Sequence, residues 1–212
     1  RLAERLGKQA ERIFPRFSFI VGKEPSVSML LMEPIHGSTL EDEILILGSL
    51  MAEHGPRDSR VSGRQRRIIG IVEKTLELAT LLHRPVAKAP ALKDFVKELH
   101  EAIANNLKTS QLPSASPSDV KIADDVWDNC TASMAHRDLS TVNILGDPDN
   151  IRFIDPREAV PGASRGAPVA SPSIDLIELD VSLERKEMEM QVLAGARIPL
   201  KARRLVKQKI TE

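Results

Sequence analysis

The stretch MAHRDLSTVNIL, residues 134–145, places His136, Asp138 and Asn143 among Ala135, Leu139, Val142, Ile144 and Leu145. Burying polar groups costs free energy unless they are paired, so three of them in one apolar segment require a purpose. Twelve residues past Asn143, Asp155 closes a second strand-like run, NIRFID (150–155). Two short strands and their connecting loop can bring the oxygen-bearing side chains of Asp138, Asn143 and Asp155 to one edge. Asp138 and Asn143 could also be no more than a capped turn, since both residue types favour turns, and Asp155 could cap the turn that follows it.

Composition sets the frame around that segment. A chain of 212 residues fits one domain, or one domain of two unequal lobes, and can bury a sizeable core without staples. Lys plus Arg number 30 and Asp plus Glu number 30, so no net charge argues for a nucleic-acid or anionic-membrane partner. The single cysteine, Cys130, cannot form an intrachain disulfide, and it suits a reducing compartment such as the cytoplasm. No apolar run approaches the roughly 18–20 residues that span a bilayer. The first twelve residues, RLAERLGKQAER, carry charge throughout, unlike a signal peptide. They also lack a starting methionine, and the chain reads as a fragment or as the ordered part of something longer.

Periodicity orders the elements. Leu2, Leu6, Ala10 and Ile13 predict a helix over 2–13 that ends at Phe14-Pro15. FSFIVGKE (17–24) and VSMLLMEPI (27–35) predict a hairpin. After Gly37, Ser38 or Thr39 can cap a helix at 40–53 with Leu40, Ile44, Leu47 and Met51 on one face. Residues 55–63 read as a loop, 64–83 and 91–107 as helices, and 109–118 as a low-complexity loop. A short helix is expected from Ser118 to about Cys130, a Pro/Gly/Ser-rich loop over 156–173, and helices over 174–193 and 197–209. His83 and His100, at helix ends, read as surface or packing residues. The basic positions of the last helix, from Lys201 through Arg203, Arg204 and Lys207 to Lys209, read as a solvated face. Asp119, Asp124, Asp125 and Asp128 read by default as another, and in a sharper reading as an acidic wall that attracts a cationic acceptor.

Oxygen ligands suit a hard cation such as Mg²⁺, and a carboxylate beside them can accept a proton from a hydroxyl nucleophile. That combination serves phosphoryl transfer from a magnesium-bound nucleotide. The pattern H-R-D-L-x-x-x-N followed by an Asp-ended strand resembles the catalytic loop and metal-binding Asp of the protein-kinase fold. HRDLSTVNIL with IRFIDPRE after it and LLMEPIHGSTLED before it is similar to the aminoglycoside phosphotransferase/choline kinase superfamily. By average residue usage, H-x-D-x-x-x-x-N arises by chance in about one in a hundred chains of this length.

The resemblance implies an α+β, protein-kinase-like fold with a truncated N-lobe over 1–35, hinge included, and a helical C-lobe over 36–212. It implies ATP and Mg²⁺ as cofactors and a small-molecule hydroxyl acceptor as partner. Asp138 resembles the catalytic base, and His136 the histidine that braces the loop. Asn143 and Asp155 resemble the metal ligands. Met32, Glu33 and Ile35 resemble the adenine-binding hinge, with the Glu33 C=O and the Ile35 N–H facing the base. Glu4 resembles the helix glutamate that pairs with the ATP-binding lysine, and Asp175 the helix aspartate that supports the catalytic loop. The phosphate-covering loop and the strand lysine of that family have no counterpart here. That gap motivates a second reading, a non-catalytic pseudokinase-type binding module. A protein kinase fits less well: 53 residues separate His83 from His136, and only 20 separate Asp155 from Asp175.

Overall fold

A computed structural model describes residues 6–21, 28–85, 133–156, 169–170, 172–195 and 200–211. The expected helices over 91–107 and 118–130, Cys130, His100, the acidic run from Asp119 to Asp128 and Glu4 all lie outside the described residues.

The chain enters through a 3₁₀ turn, Gly7–Gln9, and helix α1, Ala10–Ile13. Leu6, Ala10 and Ile13 turn inward together. The helix stops at Phe14, which is extended (φ −117°, ψ 150°), because a following proline disfavours the helical region. Strands β1, Phe17–Val21, and β2, Ser28–Met32, pair antiparallel in a register that runs from Phe17↔Met32 to Val21↔Ser28. Strand β3, Ser38–Thr39, leads directly into helix α2, Leu40–His54. Thr39 and Asp42 cap that helix reciprocally: the Thr39 hydroxyl accepts from the Asp42 N–H while the Asp42 carboxylate accepts from the Thr39 N–H.

Helix α3 spans Ser59–Leu82 and starts well before the expected residue 64. Asp58 is the reason, since its carboxylate accepts from the Arg60 N–H at 2.8 Å and again from the Arg60 guanidinium. Val61, buried at 1 % exposure, then anchors a first turn that Gly55, Pro56 and Gly63 had marked as loop.

Two further small antiparallel sheets complete the β structure among the described residues. Strands β5, Ile144–Asp147, and β6, Asn150–Phe153, form the second expected hairpin. Strand β3 adds to its β5 edge, Ser38 opposite Gly146 and Thr39 opposite Leu145. Strand β4, Ser133–Met134, pairs with β7, Val169–Ala170, a two-residue strand inside what reads locally as a Pro/Gly/Ser-rich loop. Helix α4, Pro172–Ala194, and helix α5, Lys201–Thr211, close the fold. Helices α2, α3, α4 and α5 pack on one another around Leu40, Ile44, Leu47, Ile68, Val72, Leu179, Leu183 and Val206, all buried. The α5 face is not wholly solvated as its basic composition suggests. The Arg203 guanidinium is half-buried against α4, on Asp180 at 2.8 Å, Glu184 at 2.8 Å and Glu187 at 3.7 Å. The architecture is α+β and mainly helical with small antiparallel sheets, as the kinase-like resemblance implies. Among the described residues no helix is long and apolar enough to cross a membrane.

Candidate active site

The segment from β4 to β6 has no continuous secondary structure of its own, so its shape depends on anchors from elsewhere. The main anchor is Asp175, in the first turn of α4 and fully buried. One carboxylate oxygen accepts the Arg137 N–H at 2.7 Å. The other accepts the His136 N–H at 2.7 Å and the His83 Nε2–H at 2.9 Å. A buried carboxylate is tolerated because its charge is met by these donors. Two turns further along α4, the Ser182 hydroxyl accepts from the Thr141 N–H at 2.7 Å and donates to Thr141 Oγ1 at 3.0 Å. Asp175 and Ser182 are seven residues apart, so one face of α4 holds the loop at both ends.

His136 joins the loop to the strand that follows. Its ring lies between Phe14, stacked with centroids 6.2 Å apart, and Phe153, edge-on at 5.8 Å. Its Nε2–H donates to the Ile154 C=O at 3.0 Å. Burial pushes the imidazole below its ordinary pKa, against the raising influence of the Asp175 and Asp138 carboxylates and of its backbone hydrogen bonds. The Ile154 N–H in turn donates to the Asn143 C=O at 2.9 Å, and Asn143 Nδ2 donates to the Asp138 C=O at 2.8 Å. Residues 138, 143 and 154 are thereby tied into one hydrogen-bonded ring, and Asp155 is the next residue out of it. Asp138 is half-buried and Asp155 exposed. Among the described residues no partner holds either carboxylate. Arg137 and Asp155 both have left-handed backbone, with φ 65° and 53°. Such conformations cost free energy and persist where the surroundings over-determine them, often at functional sites.

The proposed hinge residues lie on a separate segment that leads toward this loop. Met32 ends β2 and is exposed; Ile35 is half-buried. The Glu33 N–H donates to the Arg16 C=O at 2.9 Å, and the Glu33 carboxylate accepts the Arg16 N–H at 3.1 Å. Three residues after Ile35, β3 begins its pairing with β5, which ties the segment to the strand that follows the loop. The Gly37–Gly146 approach is close: a Cβ at Gly37 would stand 2.7 Å from the Gly146 carbonyl carbon. Behind this junction Glu43 is buried and holds Ser38, Arg64 and Arg67 together.

Among the described residues no three His, Cys, Asp or Glu side chains group as a metal cluster. The oxygen donors at the loop are instead an amide and carboxylates. Because Asn143 Nδ2 is committed to the Asp138 carbonyl, its Oδ1 is left as an acceptor, a donor set that fits a hard cation.

Sequence reasoning missed His83 and Ser182. His83 caps the end of α3 and carries no local mark of a partner in the distant helix α4. Ser182 had a readable signal, a polar residue at i+7 from Asp175 on an apolar helical face.

No family model matches the chain, and no curated protein sequence matches it. Solved structures do. A glucosamine kinase in complex with glucosamine, ADP and inorganic phosphate matches at TM-score 0.55 and 14 % identity, over 99 % of this chain and 53 % of that one. Two crystal forms of glucosamine kinase match at TM-scores of 0.56 and 0.52, with 14 % and 13 % identity. This chain therefore has a kinase-like fold and spans about half the length of those structures.

Proposed function

We propose that this chain carries the phosphoryl-transfer centre of an ATP-dependent small-molecule O-kinase similar to the aminoglycoside phosphotransferases. One observation carries the reading. The loop backbone is fixed from outside by Asp175, Ser182 and Ile154, while no partner among the described residues holds the Asp138 or Asp155 carboxylate. A fixed loop with carboxylates so placed is organised for a substrate rather than for stability alone.

Asp138 positions the acceptor hydroxyl for in-line approach and accepts its proton as that oxygen bonds to the terminal phosphorus of ATP and the bond to the bridging oxygen breaks, releasing ADP. Asn143 and Asp155 hold Mg²⁺, which when bound neutralises phosphate charge. Asp175 keeps Asp138 in register through the His136 and Arg137 N–H groups, and His136 supports the Ile154–Asp155 corner. Met32, Glu33 and Ile35 hold adenine, and Glu4 corresponds by resemblance to the family's helix glutamate, whose lysine partner has no counterpart in this sequence. In this reading residues 1–35 belong to the N-lobe and hinge, and residues 36–212 to the C-lobe. The complex of glucosamine kinase with glucosamine and ADP supports a nucleotide and a sugar-like hydroxyl acceptor. A non-catalytic, pseudokinase-type module that binds a partner or a nucleotide is the alternative.

Calorimetry with MgADP and a phosphorylation assay on hydroxyl acceptors test the reading together. Asp155→Ala lowers nucleotide affinity in the presence of Mg²⁺. Asp138→Asn leaves that affinity near wild type and lowers kcat by about 10²–10⁴-fold, the usual worth of a general base. Absence of binding at millimolar nucleotide refutes the kinase reading. Binding with no turnover on any acceptor favours the module.

A further inference from the structure

Helix α4 is buried on one side only. Leu179, Leu183 and Met190 carry its inner face into the core. Of the eight large apolar side chains exposed among the described residues, four stand on its outer face: Ile177, Val181, Met188 and Val192, the last 83 % exposed. At about 100° per residue they fall within an arc of about 60° and run for about 22 Å along the helix. Exposed apolar residues scattered singly need no explanation, but a row of them marks a surface that another molecule covers. Two exposed charges, Glu184 and Arg185, interrupt the row at its centre. Arg203 meets Glu184 Oε2 at 2.8 Å, yet half of the Glu184 side chain stays in solvent, and a carboxylate accepts more than one donor. Arg185 has no ion-pair partner among the described residues.

The order of these residues is symmetric about the Glu184–Arg185 peptide. Val181 and Met188 stand equally far on either side of it, and so do Ile177 and Val192. A two-fold axis through that point, with a second copy of α4 running antiparallel, sets Val181 on Met188 of the second copy, Ile177 on its Val192 and Glu184 on its Arg185, each contact occurring twice. Apolar residues then meet apolar ones along the row, and the two charges at the centre meet their opposites. A parallel copy in register would instead set Glu184 on Glu184 and Arg185 on Arg185. We propose that the outer face of α4 is a self-association surface, through which two copies of this chain pair as an antiparallel, isologous dimer. The four-then-three spacing from Ile177 through Val181 and Glu184 to Met188 is the one that keeps a seam facing a partner helix crossing at about 20°. The self-complementary order selects a second copy, because an unrelated partner requires no such symmetry. One helix pair about 22 Å long belongs with the small interfaces, below about 1,200 Å², whose complexes are transient, so the dimer forms and dissociates with concentration.

Sedimentation velocity of the chain from about 1 to 500 µM, the range of weak association, tests this. It involves neither nucleotide nor phosphoryl transfer, so the result is independent of whether the loop is catalytic. The expected result is a shift from monomer to dimer with rising concentration. Val181→Glu puts a charge against Met188 of the second copy, and Arg185→Glu gathers four carboxylates at the axis. Both positions are exposed, and both variants are expected to dimerise at least about tenfold more weakly with an unchanged far-ultraviolet circular dichroism spectrum. Glu184→Arg gathers four guanidinium groups at the axis and is expected to do the same, while Arg203 keeps Asp180 and Glu187. Mixed in equal amounts, Arg185→Glu and Glu184→Arg regain opposite charges across the axis and are expected to form a heterodimer of near wild-type affinity. A wild type that stays monomeric throughout means that something other than a second copy covers the stripe, and overturns the proposal. Dimerisation of Val181→Glu at wild-type strength overturns it too, as does the absence of a heterodimer in the mixture.

Discussion

Replacing Asp175 with alanine strands three donors at once: the His136 and Arg137 N–H groups and the His83 ring. The carboxylate and His136 are wholly buried, and Arg137 is 8 % exposed, so water does not readily replace the lost acceptor. Each buried donor left unpaired costs about 1–3 kcal/mol. The three share one acceptor and do not add fully. Three stranded donors that do not add fully put the expected loss for Asp175→Ala at about 4 kcal/mol. With a urea slope of about 2 kcal/mol per molar, the midpoint falls by about 2 M. Asp175→Asn keeps the volume and one acceptor oxygen, and is expected to lose about 2 kcal/mol. His83→Ala leaves the carboxylate its two backbone donors and is expected to lose the least, about 1–2 kcal/mol. Urea denaturation followed by circular dichroism gives the order. A loss below about 1 kcal/mol for Asp175→Ala, or His83→Ala as the most harmful of the three, would show that the loop does not hang on this carboxylate.

Other perturbations probe the parts around it. Above pH of about 6.5 His136 is neutral in both folded and unfolded chains. Below it the unfolded chain takes up a proton that the buried ring resists, so stability falls with pH until that ring protonates too; His136→Gln should flatten this part of a pH series of urea midpoints. Burial alone would raise the pKa of Glu43, but hydrogen bonds from Ser38, Arg64 and Arg67 outweigh it and hold the carboxyl below its ordinary value. The stability this provides is complete above the unfolded pKa of about 4.3 and is lost as pH falls through the lower folded value, so Glu43→Gln should be less acid-sensitive than wild type in the same series. At Gly146, with φ +127°, an added Cβ would lie 2.1 Å from the Asn150 carbonyl oxygen; Gly146→Ala should destabilise by at least about 2 kcal/mol, measured by thermal unfolding.

What could be read from the sequence was whatever local chemistry determines. Thr39, Asp42 and the series Leu40, Ile44, Leu47 and Met51 announce helix α2, because a cap and a 3.6-residue period act within a few residues. The β5–β6 hairpin is equally legible. The start of α3 was misread because Gly55, Pro56 and Gly63 are breakers by propensity. The Asp58 cap and the burial of Val61 outweigh them, and nothing lies within 4 Å of a Cβ at Gly63. Strand β7 has two residues and exists only through its pairing with Ser133 and Met134. In the candidate site, Asp138, Asn143 and Asp155 stand out as polar residues in apolar runs. His83 does not, because its partner is 92 residues away and helix ends commonly carry histidine.

Those long separations also bear on how the chain folds. The hairpin of β5 and β6 closes over a two-residue turn, but the loop before it is fixed by Asp175, 39 residues from His136, and by Ser182, 41 residues from Thr141. Strand β3 must reach β5 from the other side of the sequence. Contacts of this span form only after the intervening chain has lost its loop-closure entropy. The loop backbone should therefore be among the last parts to take its native shape, after α2, α3 and the hairpin. Kinetic experiments would register this as low φ-values at Asp175 and Ser182: their substitution would speed unfolding while leaving the folding rate nearly unchanged.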